Sequence, residues 1–91
     1  MNQSILFTDI QHWDEARQSV GFTAQQSGAL IECWIDKGGL EALSGMVITS
    51  GQQALQVFSS LRFDIEELAE ELIEDDRYNE AGEIEVKISL A

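Results

Sequence analysis

The chain has little of what reactive chemistry draws on. It holds one cysteine and one histidine in 91 residues. A lone cysteine cannot form an intramolecular disulfide, so apolar burial has to hold the core, and a reducing, cytoplasmic setting is expected. One His and one Cys cannot furnish the ligands of a structural zinc site. The phosphate loops GxGxxG and GxxxxGK, the metalloprotease motif HExxH and the nucleophile elbow GxSxG are absent as well.

Positive charge is equally scarce. Arg17, Lys37, Arg62, Arg77 and Lys87 are scattered along the chain, and against 17 acids they leave a formal net charge of −12. Such a field repels phosphate backbones and anionic membrane surfaces, so direct binding of nucleic acid or membrane is not expected. Long apolar runs are missing too. The longest, around Met46-Val47-Ile48, falls far short of the ~20 residues that span a bilayer. The opening Met1 to Asp9 has no basic segment and reaches an acid after Ile5-Leu6-Phe7, so a signal peptide is not expected.

What is present suffices for one core. The composition is 44% hydrophobic with two Trp, four Phe and one Tyr. A chain of this size buries about 60–65% of its unfolded surface on folding, which fits a single domain over residues 1–91. Ile5-Leu6-Phe7 reads as a short first strand, and Asp9 to Glu15 as a connection anchored by Trp13. Gln18 to Ala24 alternates, with Val20, Phe22 and Ala24 on one face, and Gln25-Gln26-Ser27-Gly28 supplies a hairpin turn. Ala29 to Ile35 puts Ala29, Ile31, Cys33 and Ile35 on one face and Leu30, Glu32 and Trp34 on the other. Gly38-Gly39 reads as a turn, Leu40 to Leu43 as a short helical turn ended by Gly45, and Met46 to Thr49 as a short extended segment.

Ser50 followed by Gln53 has the form of a capping box, and Ala54, Phe58, Leu61, Ile65, Leu68 and Leu72 follow at steps of four and three. One helix from about Gly51 to Asp75 is the favoured reading. Two helices with a kink near Phe63 are the alternative, since Asp64 with Glu67 forms a second cap signal. Glu83 to Leu90 alternates strictly, as an amphipathic strand does. The expected fold is a two-layer α+β domain: about four mostly antiparallel strands, in the chain order β-β-β-α-β, with one long amphipathic helix across one face.

Eight of the 17 acids fall in that helical stretch, from Asp64 to Asp76. Like charges at i, i+4, as in the 66/70, 67/71, 70/74 and 71/75 pairs, cost about 0.2–0.5 kcal/mol each. A solvated, solubilising surface explains such a face; a docking surface for a basic partner is the functional alternative. On a continuous helix Phe63 would stand in the middle of the acids, which makes Phe63, Glu67, Glu70, Glu71 and Glu74 the candidate partner-binding residues. With a kink, the ring would turn into the core instead. Leu30 and Trp34 lie on a sheet face that a single helix layer leaves bare, which makes them the candidate residues for a homodimer contact.

No catalytic or metal constellation emerges. Cys33 sits on an apolar strand face, where a thiol is a small core residue, and His12 lies in the first connection beside Asp9, Trp13 and Asp14. Asp75 to Glu83 is rich in oxygen ligands, but with Arg77 and Glu80 at its third and sixth positions it fails the EF-hand order. No cofactor is expected. The leading reading is a non-enzymatic cytoplasmic interaction or accessory protein. An anionic mimic of nucleic acid that regulates a DNA- or RNA-binding protein, and an enzyme using Cys33 or His12, are the alternatives.

The opening Met1-Asn2-Gln3 with Ile5 and Phe7, then Trp13-Asp14-Glu15, Val20 with Phe22, Gly28, Cys33 with Ile35, and later Phe58, Arg62, Ile65, Glu66 and Ala69, together resemble the YrdB-like family of short proteobacterial proteins of unknown function. The resemblance spans most of the chain and is weakest from Glu41 to Ser50. It implies a shared fold and brings no established activity.

Overall fold

A computed structural model describes residues 4–88. Three antiparallel strands, β1 (Ile5–Asp14), β2 (Ser19–Gln26) and β3 (Ala29–Asp36), form a meander. The helices α1 (Lys37–Ser44), α2 (Gly51–Ser60) and α3 (Arg62–Glu74) follow, and β4 (Ile84–Val86) returns beside β3. The sheet order is β1-β2-β3-β4, and β4 runs parallel to β3. This is the expected two-layer α+β domain. The C-terminal alternation yields a strand of three residues, and the end of the expected segment, Ser89-Leu90, lies outside the described residues.

The inner sheet face is built as the alternation requires. Val20, Phe22, Ala24, Ile31, Cys33 and Ile35 are buried together with Ala54, Val57 and Phe58 of α2 and Ile65, Ala69 and Ile73 of α3. Phe22 links the layers, with its ring centroid 5.0 Å from that of Phe58 and 6.1 Å from that of Phe7. The β2–β3 turn needs two left-handed residues, which Ser27 (φ 52°) and Gly28 (φ 83°) supply.

Four expectations are revised. The first strand does not stop at Phe7 but runs to Asp14. It passes a bulge in which Thr8, Asp9 and Ile10 lie between the pairs Phe7–Ala24 and Gln11–Phe22; the extra residues hide the strand's alternation from a period-two reading. Gly38-Gly39 belongs to the first turn of α1, because the Asp36 side chain caps that helix by accepting from Gly39 N at 2.8 Å. Met46 to Thr49 is not a strand; Glu41 Oε2 accepts from Ile48 N at 2.9 Å and holds the segment against α1.

The long helix is two. Ser60 Oγ donates back to Gln56 O at 3.2 Å and Val57 O at 3.1 Å, competing with the ladder. Leu61 then leaves helical geometry at φ −110°, ψ 17°. The first cap forms, with Ser50 Oγ accepting from Gln53 N at 3.1 Å. The second does not: α3 has no side-chain cap. In α3 the buried positions are Ile65, Ala69 and Ile73, while Leu68 and Leu72 of the expected stripe are half-buried at its margin. Past its end, Asp76 (φ 55°) gives N–H to Ile73 O and Arg77 N donates to Leu72 O, closing a Schellman motif.

Candidate functional site

The bulge in β1 is held from the helix layer by one residue. Arg62, the first residue of α3, donates through Nη2 to Thr8 O at 2.6 Å and pairs with Asp9 Oδ1 at 2.9 Å, while its Nε bonds Glu66 Oε2 at 2.7 Å, one helical turn on. The guanidinium is largely covered and its pKa is raised, chiefly by the hydrogen bond to Glu66. It stays cationic in place, with Nη2 taken up by the bulge and Nε by its own helix.

Beside this knot lies an open groove of about 620 Å³ between the start of β1 and α3. Its walls are Leu6 and Phe7 on the strand and Phe63, Glu67 and Glu70 on the helix. Phe63 is 82% exposed. The break at Leu61 therefore does not turn the ring inward, because α3 restarts with Ile65 as its buried position and leaves Phe63 on the far side. Asp9, Glu66, Glu67 and Glu70 contribute four carboxylates to the groove against the single cation of Arg62. Of the partner-binding candidates, Phe63, Glu67 and Glu70 come together here; Glu71 and Glu74 are exposed on α3 but do not line it.

Leu6 (62% exposed) and Ile10 (71% exposed) are apolar surface residues outside the candidate partner-binding set. A signal existed for Leu6: in a strand Ile5-Leu6-Phe7, burying the outer two sends the middle one outward. The i,i+4 pair of Arg62 with Glu66 was a local signal, but its hold on the bulge had none, since Thr8 and Asp9 are far away in sequence.

The outer sheet face is not uniformly bare. Leu30 is 69% exposed, but Trp34 is only 8% exposed within the single chain. Its indole lies across Gly21 and meets His12 edge-on at 5.5 Å. Arg17 stacks over it at 3.8 Å, and its Nε1 donates to Glu83 Oε1 at 3.2 Å. Trp34 thus needs no second copy to be covered, and of the two residues only Leu30 is open.

Cys33 and His12 do not meet. Cys33 is fully buried on the inner face, while His12 packs on Trp34 on the outer one. Burial, and secondarily the charge of Glu32, pushes the thiol up to about 12, which favours the protonated thiol near neutral pH. Among the described residues, no group of three or more His, Cys, Asp or Glu is placed to hold a metal ion. The Asp75 to Glu83 loop is organised by Asn79 instead: its Oδ1 accepts from Ala81 N and Glu83 N, each at 2.9 Å, and its Nδ2 donates to Glu85 Oε2 at 2.9 Å. Glu85 is lowered below the usual glutamate range, first by that bond and then by Lys87. Among the described residues, no helix is long and apolar enough to cross a membrane.

Fold and site together define a small two-layer α+β domain with an acid-lined surface groove and no assembled Cys-His pair. The family described as "Protein of unknown function (DUF1488)" matches residues 5–86, and the chain belongs to it. It is 34% identical over 82 residues to the uncharacterized protein YrdB of Escherichia coli K12, covering 90% of this chain and 94% of that one. The Shigella flexneri YrdB is 33% identical over the same length. The crystal structure of a protein of unknown function from the DUF1488 family of Shewanella loihica PV-4 superposes with a TM-score of 0.90 at 46% identity, covering 94% of each chain. The YrdB-like resemblance read from the residues is the family relationship found.

Proposed function

We propose that this bacterial protein is a non-enzymatic interaction protein of the cytoplasm, and that the groove between β1 and α3 is where it takes a basic partner. The observation that carries this reading is Phe63: an aromatic 82% exposed and flanked by Glu67 and Glu70 in one groove. An exposed aromatic has no role in solubility, and rigid aromatic anchors ringed by charge are what interfaces use. A mimic of nucleic acid would present charge alone, so the apolar residues lining the groove, Phe7 and Phe63 with Leu6 at its rim, favour a mixed apolar and ionic contact over that alternative.

The test replaces Phe63 with a photo-crosslinking phenylalanine analogue in the native bacterium, beside the same analogue at Glu80 in the distant loop. Adducts with basic proteins are expected at position 63 only, and they should disappear when Glu67 and Glu70 are both changed to Lys. Identical adducts from both positions, or adducts indifferent to the Glu→Lys changes, refute the proposal.

A further inference from the structure

An edge strand with an unpaired apolar segment is a hazard that proteins ordinarily blunt with a charge, a proline or a bulge. β1 is such an edge, and among the described residues no strand pairs with its outer side. Its middle is blunted by the bulge at Thr8, Asp9 and Ile10, where the Thr8 carbonyl is already taken by Arg62. The segment Ile5-Leu6-Phe7 before it carries none of these devices and opens directly onto the groove.

The two sides of that edge differ. On the sheet's outer face, Leu6 lies in one row with Gln25 and Leu30, and both leucines are exposed. On the helix side stand Phe63, Glu67 and Glu70. A strand added at Ile5–Phe7 would send alternate side chains to these two surfaces. One set would meet carboxylates and an aromatic ring, the other the exposed side chain of Leu6. The complementary sequence alternates Lys or Arg with aliphatic residues. A second copy of this chain does not fit, because edge-to-edge pairing would set one net-negative groove against another.

Building on the reading of the groove as a docking site for a basic partner, we propose that the partner is captured through an extended segment of alternating basic and aliphatic residues, added as a short strand to the free edge of β1 at Ile5–Phe7. The bulge pinned by Arg62 ends the pairing, so the added strand is short and its affinity depends on the flanking carboxylates.

The probe is an acetylated and amidated Lys-Val-Lys-Val-Lys-Val peptide titrated into the labelled full chain, followed by NMR shifts and amide exchange. Two derivatives, N-methylated on one or the other alternate set of residues, report which backbone groups pair. The parent peptide is expected to shift Phe63 and slow exchange at Ile5–Phe7. One N-methylated derivative, and not the other, should bind at least about tenfold more weakly. A Glu-Val-Glu-Val-Glu-Val peptide should not bind. Binding that depends on Glu67 and Glu70 but treats both derivatives alike, without protection at Ile5–Phe7, overturns strand addition and leaves the basic-partner reading standing. Protection at Ile5–Phe7 that survives Glu67→Lys with Glu70→Lys overturns that reading instead. Failure of the parent peptide to bind overturns the proposal, as does tighter binding by a basic helical peptide of equal charge.

Discussion

At position 21 a hydrogen stands where a side chain would point outward, and this lets Trp34 lie across β2 toward His12. A Cβ there would come within 2.6 Å of His12 Cε1 and 2.8 Å of Trp34 Cζ3. Gly21→Ala is therefore expected to cost about 1–3 kcal/mol, as overpacking does, with changed tryptophan fluorescence; denaturant unfolding measures it. An unchanged midpoint would mean the ring has room to shift. The face on which Trp34 sits was legible from period-two alternation, and so was the core place of Cys33. What covers the indole was not. His12 and Arg17 come from β1 and the turn after it, and Glu83 from the approach to β4. Alternation reports which way a side chain points, never what will arrive over it.

Among the elements, the loop leading into β4 is held by one side chain, since Asn79 bonds two backbone N–H groups and the Glu85 carboxylate. A glutamate whose folded pKa is lowered contributes stability above its unfolded pKa, and that contribution fades as pH falls through the folded value. Asn79→Ala should therefore destabilise more at pH ~7 than at pH ~3, below the usual glutamate range of about 4.3. The residual loss at low pH reports the backbone bonds and the weaker bond that Asn79 keeps to a neutral carboxyl. Denaturant unfolding of both proteins at each pH checks this, and an equal loss at both pH values would remove Glu85 from the account. Elements with local signals were readable in advance: the Ser50 cap, the Ser27-Gly28 turn, the core faces of β2 and β3. Local signals misled where a long-range partner decides. The bulge depends on Arg62 reaching back to Thr8 and Asp9, and without that contact Asp9 to Glu15 reads as a loop. The break at Leu61 was only an alternative because its cause, Ser60 bonding backward, leaves the apolar spacing almost unchanged.

For the molecule as a whole, a net charge of −12 with eight acids between Asp64 and Asp76 means that repulsion works against the compact state. The melting temperature should rise when salt is increased from about 10 mM to about 0.5 M, where the screening length falls to roughly 4 Å. Changing Glu70, Glu71 and Glu74 to Gln should shrink that rise. A melting temperature independent of salt would show that the acids are too well solvated to matter. Fold class and the acid-faced helix layer were legible from composition and period. The place of β4 was not, because an alternating pattern does not name its neighbour or its direction. That place governs how the chain assembles. The meander closes through short turns between neighbours, whereas β3 and β4 join residues more than half the chain apart, and such closures come late. Until β4 docks, Trp34 lacks Glu83, the edge of β3 stands open, and Ile84 and Val86 are outside the core. The rung that completes the sheet is thus the one with the longest loop to close.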